Sequence, residues 1–143
     1  MAKFRGREDI AWRLGDLLAE QSVARAALRN VDCLVPVPLG ARRRRQRGYN
    51  QSAILTRQLG KAVGLPVCHA LVRCRNTRPQ SDLSLALRGA NVRDAFAATR
   101  RLPGRVALVD DVVTSGETVR QAAWALLRGR AQEVTVVALA RTL

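Results

Sequence analysis

Arg105 to Thr118 reads RVALVDDVVTSGET, which combines an apolar run, two carboxylates and a hydroxyl-rich loop. The apolar run, residues 106–109, is too short for a helix and predicts a strand covered on both faces. We expect this strand to end at Asp110 and Asp111, because adjacent carboxylates are costly to desolvate. They belong at the carboxyl edge of an open α/β sheet, which is where such sheets bind ligands.

A loop of Thr114, Ser115, Gly116, Glu117 and Thr118 follows the acids and begins a helical pattern. A helix N-terminus carries free N–H groups and about half a positive charge, which favours a phosphate. The predicted site therefore suits a phosphorylated sugar, with its hydroxyls facing the acids and its phosphate facing the loop. A plain strand end before an N-capped helix is the alternative, since Asp, Ser and Thr are common caps. Neither GxxxxGK[ST] nor GxGxxG occurs in the sequence.

Helical and strand patterns alternate along the rest of the chain. Helices are predicted over residues 8–28, 47–63 and 119–129, and strands over 31–39, 67–72, 106–109 and 134–140. Residues 3–7 precede the first helix as a basic arm. This alternation predicts an α/β fold, in which a parallel sheet with right-handed crossovers carries helices on both faces. The length of 143 residues predicts a single domain over residues 1–143.

The charge of the chain is strongly positive. Its 25 basic and 11 acidic residues give a net charge of +14, and such a field concentrates polyanions. Nucleic-acid binders that stack bases also need aromatic side chains, and these make up 3% of the residues. The sequence contains no apolar run long enough to span a bilayer and no secretory signal, so we expect a cytoplasmic protein without membrane insertion.

The three cysteines, Cys33, Cys68 and Cys74, are odd in number and lack a CxxC spacing. They do not predict a disulfide framework. Cys68 and His69 are adjacent on a predicted strand and would point to opposite faces, which argues against a zinc site with Cys74. We expect His69 to be structural, and no residue stands out as a proton-transfer group.

Arginines cluster after the predicted strand 31–39, at positions 42–45 and 47. Such a run is usually a solvated loop. Here it follows a buried strand, so its arginines can emerge at the same sheet edge as Asp110 and Asp111. A pyrophosphate beside a ribose would need positive groups at that edge.

The run VALVDDVVTSGET resembles the ribose-phosphate signature of type I phosphoribosyltransferases, which bind phosphoribosyl pyrophosphate (PRPP). The resemblance implies a three-layer Rossmann-like fold in which Asp110 and Asp111 address the ribose hydroxyls. It also implies that the 5-phosphate lies against Val113, Thr114, Ser115, Gly116, Glu117 and Thr118. The chain departs from the pattern at Ser115 and Glu117, and Glu117 would repel a phosphate unless its side chain points outward.

A narrower resemblance rests on VPVPLGARRRRQRGYNQ, Gln80, LRGANVRDAF and VALVDDVVTSGET in that order, which is similar to the ComF family of phosphoribosyltransferase-like proteins. It implies a pyrophosphate site at Pro38, Leu39, Gly40, Arg44 and Arg47. It also implies a flap around residues 73–94, with Arg75, Arg78 and Arg88 as candidates to reach the leaving group. Mg²⁺ would arrive with PRPP, so no metal site built from protein side chains alone is expected. ComF proteins often carry an N-terminal four-cysteine zinc module, which has no match here.

Two functions from different classes follow from the resemblance. The first is transfer of ribose 5-phosphate from PRPP to an unknown acceptor, a nucleobase by preference, with release of pyrophosphate. This would be a pentosyl transfer in nucleotide metabolism, with PRPP or ribose 5-phosphate as ligand. The alternative is a non-catalytic module that keeps the PRPP pocket and binds single-stranded DNA during DNA uptake in competence. Regulation of transcription by PRPP sensing is a third hypothesis, and a homodimer is among the assemblies left open.

Overall fold

The computed structural model describes residues 2–39, 45–46, 48–74, 95–102 and 104–142, with side chains from Glu8 onward. Within these ranges the elements are α1 Ala2–Glu20, α2 Ser22–Ala27, β1 Cys33–Pro36, α3 Gln51–Val63, β2 Leu71–Arg73, β3 Phe96–Ala98, β4 Gly104–Val113, α4 Glu117–Arg128 and β5 Ala131–Arg141. None of the helices in these ranges is both long enough and apolar enough to cross a membrane.

β4 is the central strand of a parallel sheet ordered β1-β4-β5. Its inward residues alternate between two cores. Val106 and Leu108 pack on the α4 side, while Ala107 and Val109 pack on the side of α1, α2 and α3. All four are buried, as an apolar run covered on both faces requires. The predicted α/β fold with a parallel sheet and helices on both faces is confirmed.

The first helix packs closely on α3. A Cβ atom added at Gly15 of α1 would lie 2.7 Å from Gln58 Cβ of α3, so the crossing point requires a glycine. Nearby, Lys61 Nζ lies 5.3 Å from the centre of the Trp12 ring, which ties the same two helices together.

A second, antiparallel sheet pairs β2 with β3 and was not predicted. Its register places Leu71 opposite Ala98 and Arg73 opposite Phe96. Three-residue strands are too short to give a periodic pattern, and β3 stabilises β2 from a distant part of the sequence. The predicted strand 67–72 is thus wrong in extent: Val67 makes a single parallel bridge to Leu34, and β2 begins later.

The predicted first helix is also divided in two. Gln21 adopts an extended backbone (φ −71°, ψ 124°) between α1 and α2, and Arg25 Nε donates 2.7 Å to the carbonyl oxygen of Ala19 at the end of α1. Residues 3–7, expected as an arm before the helix, lie within the backbone of α1.

The predicted end of the central strand at Asp110 and Asp111 is wrong. β4 continues through both acids to Val113, because β5 runs beside it as far as the pair Val113 and Arg141. Backbone pairing therefore persists while the side chains of both acids stay half-buried at the sheet edge.

The three cysteines are free thiols. Burial raises the pKa of Cys33 to about 11, and the neighbouring Cys68 contributes. His69 is exposed and lies in the loop before β2, so its expected place on a strand is wrong.

Candidate functional site

A cavity of about 630 Å³ opens at the carboxyl edge of the parallel sheet. It is bounded by the segment after β1, the start of α3, the end of β4 and the start of α4. Eight residues predicted from the sequence line it: Pro38, Leu39, Asp110, Asp111, Val113, Thr114, Gly116 and Thr118. Two predicted residues, Ser115 and Glu117, are described but are not in this lining. The predicted residues Gly40, Arg44, Arg47, Arg75, Arg78 and Arg88 lie outside the described residues, as do Gln80 and Asn91.

Asp110 is the most constrained acid in this cavity. Its Oδ1 accepts a hydrogen bond from Ser52 Oγ at 2.8 Å and another from the Asp111 N–H at 2.9 Å. Burial raises the pKa of Asp110 to about 6, and the hydrogen bond from Ser52 opposes that rise. The carboxylate is therefore ionised at neutral pH but titrates closer to neutrality than an ordinary aspartate.

Ser52 is a site residue that the sequence analysis missed. Asn50 caps α3: its Oδ1 accepts from the Ser52 N–H at 3.0 Å, and its Nδ2 donates to the carbonyl oxygen of Val37 at 3.1 Å. This cap fixes the start of α3 against the segment after β1, and it places Ser52, only 3% exposed, beside Asp110. Asn50 before a helical pattern signals the N-cap, but nothing local in the sequence indicates that Ser52 contacts Asp110, 58 positions away.

Asp111 faces two cavities. Its Oδ1 accepts from the Val112 N–H at 2.9 Å. Besides the main cavity, it lines a smaller one of about 210 Å³, whose apolar walls include Ile10 and Leu14 of α1 and Leu139 of β5. Gln51 and Val112 also line both cavities, so the two spaces meet at this point.

The loop between β4 and α4 is shaped by Gly116, the N-cap of α4. Its φ of +84° lies in the region that favours glycine, and no atom lies within 4 Å of where a Cβ would be. The N–H groups in the first turn of a helix have no partner within that helix. With the hydroxyls of Thr114 and Thr118 in the same lining, the loop offers several donors to an anion.

Glu117 is directed along the helix instead of into the cavity. Its Oε1 accepts from Gln121 Nε2 at 3.0 Å, and its Oε2 lies 4.0 Å from Arg120 Nη1. Ser115 Oγ accepts from the Glu117 N–H at 3.3 Å, which leaves both side chains outside the lining. The side chain of Glu117 thus contacts its own helix and is not in the cavity lining, which is the outward orientation that a phosphate in this cavity would need.

Arg73, the last residue of β2, contributes a cation that was not singled out as a site residue. Its guanidinium carbon lies 5.5 Å from the centre of the Phe96 ring, which holds it at the cavity wall. The unpredicted antiparallel sheet is what brings this arginine to the site.

The chain is similar in sequence to several known proteins. The chain is 40% identical over 146 residues to the DNA utilization protein YhgH of Salmonella typhimurium and to that of Escherichia coli, which covers 99% of this chain. It is 36% identical over 115 residues to competence protein F of Haemophilus influenzae, which covers 77% of this chain and 50% of that protein. The chain spans 64% of the length of the YhgH proteins.

Solved structures with a similar fold include the glutamine PRPP amidotransferase of B. subtilis in complex with ADP and GMP. The TM-score is 0.65 at 26% identity, over 92% of this chain and 26% of that one. A second structure, described as the allosteric regulatory enzyme of purine biosynthesis, has a TM-score of 0.63 at 27% identity, over 92% of this chain and 26% of that one. No family model matches the chain.

Proposed function

We propose that this chain, which belongs to the ComF family of phosphoribosyltransferase-like proteins, binds PRPP or ribose 5-phosphate in the cavity at the carboxyl edge of its sheet. One observation carries the proposal. The paired carboxylates of Asp110 and Asp111 and the N-terminus of α4 at Gly116 line the same cavity. A phosphorylated sugar needs acceptors for its hydroxyls and donors for its phosphate, and this lining contains both.

In the proposed complex, the ribose hydroxyls donate to Asp110 and Asp111, because ionised carboxylates are strong acceptors. The 5-phosphate accepts from the hydroxyls of Thr114 and Thr118 and from N–H groups at the start of α4. Ser115 and Glu117 are not in the lining, so neither side chain is proposed to contact the phosphate.

The pyrophosphate is proposed to lie beside Pro38 and Leu39, where Arg73 supplies positive charge. Gly40, Arg44 and Arg47 follow this segment in the sequence, and the flap candidates Arg75, Arg78 and Arg88 follow Arg73. Arginine binds phosphate oxygens with two parallel hydrogen bonds, which suits a group that gains negative charge as it leaves.

Magnesium fits this site as a substrate-borne ion. The described residues contain no group of three or more His, Cys, Asp or Glu side chains that could hold a metal. Asp110 and Asp111 supply two adjacent carboxylates, and Mg²⁺ is usually bound by one or two carboxylates together with substrate phosphates. When bound, the ion would neutralise charge on the departing pyrophosphate.

An acceptor is proposed to enter through the smaller apolar cavity. Its walls at Ile10, Leu14 and Leu139 suit a planar base, and Asp111 joins it to the ribose position. Transfer would break the bond between the anomeric carbon and pyrophosphate and form a bond from that carbon to a ring nitrogen, and the proton of that nitrogen would be released to water. Positioning of the two reactants would supply most of the acceleration. A cytoplasmic location, where nucleotide precursors are made, accompanies this proposal.

The test is calorimetric titration of PRPP with Mg²⁺ into the wild-type chain and into Asp110→Asn/Asp111→Asn. Loss of two charged hydrogen-bond acceptors should weaken binding by about 100-fold or more. Because the pKa of Asp110 is about 6, wild-type binding should also weaken as the pH falls through that value.

The matched control is Asp32→Asn/Glu133→Gln, which removes the same charge from the opposite edge of the sheet. It should bind PRPP like the wild type. No binding by the wild type, or equal binding by the Asp110→Asn/Asp111→Asn variant, would refute the proposed site.

Nucleic-acid binding is the second candidate function, as part of DNA uptake or utilisation. The net charge of +14 favours it, and the relatives named for competence and DNA utilization support it. The PRPP cavity and a nucleic-acid surface could coexist on one chain, so each candidate needs its own measurement.

A further inference from the structure

The exposed face of α4 carries an aromatic residue between two arginines. The buried face consists of Val119, Gln121, Ala122, Ala125 and Leu126. On the opposite side, Arg120, Trp124 and Arg128 are spaced four residues apart and are all exposed. Residues at this spacing are neighbours on a helix surface, and the two arginine positions are about 12 Å apart along the axis.

The exposure of Trp124 sets it apart from the other tryptophan of the chain. Trp12 is half-buried, with Lys61 over its ring, and its place is explained by the packing of α1 on α3. Trp124 is 51% exposed. Tryptophan is enriched at binding interfaces, where its ring gains contacts that the free protein does not provide.

The end of α4 adds further positive charge. The Leu102 N–H donates to the carbonyl oxygen of Gly129 at 3.1 Å, which brings the loop before β4 against the end of the helix. Arg100 and Arg101 lie in that loop and Arg130 follows the helix, and all three are exposed. We call Arg100, Arg101, Arg120, Trp124, Arg128 and Arg130 the α4 surface.

A depression of about 410 Å³ adjoins the α4 surface. Arg128 lines it together with Phe96 and Ala98 of β3 and Gly129. Its floor is the second sheet, so it lies on the α4 side of the molecule. It offers space beside the Arg128 side chain that is large enough for a base or a sugar.

We propose that the α4 surface binds single-stranded nucleic acid, with phosphates on its arginines and a base stacked on Trp124. Arginine-rich tracks with an interposed aromatic ring are suited to single strands, since their bases are free to stack. A duplex presents the same phosphates but keeps its bases paired. The proposal rests on the second candidate function and is independent of the PRPP cavity, whose lining shares no residue with the α4 surface.

Binding of a fluorescently labelled oligothymidylate, followed by anisotropy at several salt concentrations, tests this assignment. Trp124→Ala should lower the affinity by about 5- to 160-fold, the range of a single base stacked on an aromatic ring. Trp124→Phe retains a ring and should restore most of the affinity. Arg120→Ala/Arg128→Ala should reduce the slope of log K against log salt by about 1.4, since each phosphate contact on a single strand contributes about 0.7.

Two controls separate this surface from the general charge. Arg13→Ala/Arg57→Ala removes two exposed arginines from α1 and α3 and should leave the Trp124 effect intact. A labelled duplex of equal length should bind with an affinity that Trp124→Ala does not change. Thermal unfolding of each variant verifies that the fold is kept.

The possible failures point to different conclusions. If the wild type binds no oligothymidylate, the second candidate function and this surface are both overturned. If the wild type binds but Trp124→Ala and Arg120→Ala/Arg128→Ala bind equally well, only the α4 surface is overturned. Trp124→Ala should bind PRPP with Mg²⁺ like the wild type, because Trp124 is not in the lining of the PRPP cavity, and this keeps the oligonucleotide result apart from the PRPP test.

Discussion

An aspartate accepts a backbone hydrogen bond at each end of the central strand β4, and a glycine lies near it, but the surroundings of the two glycines differ. At the amino edge, the Arg105 N–H donates to Asp32 Oδ2 at 2.8 Å, and a Cβ at Gly104 would meet that same oxygen at 2.5 Å. At the carboxyl edge, the Asp111 N–H donates to Asp110 Oδ1 at 2.9 Å, but Gly116 has open space where its Cβ would be.

The difference shows which edge is built for a ligand. At the amino edge, glycine allows a carboxylate to approach the backbone, and the space is filled. At the carboxyl edge, glycine shapes a loop around a cavity, and Asp110 is held half-buried although burial raises its pKa. An ionisable side chain in a cavity, with its pKa shifted by burial, is typical of binding sites.

Gly104→Ala should have the largest effect on stability. The φ of Gly104 is +133°, a conformation that side chains rarely adopt, and the new methyl group would collide with Asp32. Strain and collision together should cost about 3 kcal/mol in the free energy of unfolding, measured by urea denaturation. The folded fraction should still bind PRPP with wild-type affinity. Wild-type stability in this variant would show that the amino edge is not closely packed.

Gly116→Ala should instead reduce binding more than stability. A non-glycine residue at φ +84° costs about 1 kcal/mol. The methyl group at the cavity wall should weaken PRPP binding by about 10-fold, because the backbone must approach the phosphate closely.

Gly64→Ala is the matched control for this change. Gly64 has a φ of +73° and open space at its Cβ position, but it caps the far end of α3. It should show the same loss of stability and unchanged PRPP affinity. Equal PRPP affinities in Gly116→Ala and Gly64→Ala would contradict a role in PRPP binding for the loop between β4 and α4.

Local patterns in the sequence predicted one half of the site and not the other. Asp110, Asp111 and Gly116 were found because the strand, the acids and the helix start are consecutive. Ser52 is 58 positions from Asp110, so their contact is set by the packing of α3 and not by any short motif. Arg73 depends on a two-stranded sheet whose three-residue strands carry no periodic signal.

The charge of Asp110 should have a smaller effect on the free energy of unfolding, and this effect should depend on pH. Its pKa rises from 3.8 in the unfolded chain to about 6 in the fold, so the folded state binds more protons between these values. Stability should therefore fall as the pH rises through this window. The full shift corresponds to about 3 kcal/mol, and hydration of this half-buried carboxylate should reduce it to about 1 kcal/mol.

Asp110→Asn isolates this effect, because the asparagine oxygen can still accept from Ser52 and from the Asp111 N–H. Between about pH 4 and pH 7, the free energy of unfolding of the variant should rise by about 1 kcal/mol relative to that of the wild type, measured by urea denaturation at each pH. Ser52→Ala should act in the opposite sense, since losing its hydrogen bond raises the pKa of Asp110 further and extends the fall in stability to higher pH. If the free energies of unfolding of Asp110→Asn and wild type differed by the same amount at every pH in this range, burial would not raise the pKa of Asp110. The carboxyl edge would then be no more costly to the fold than the amino edge.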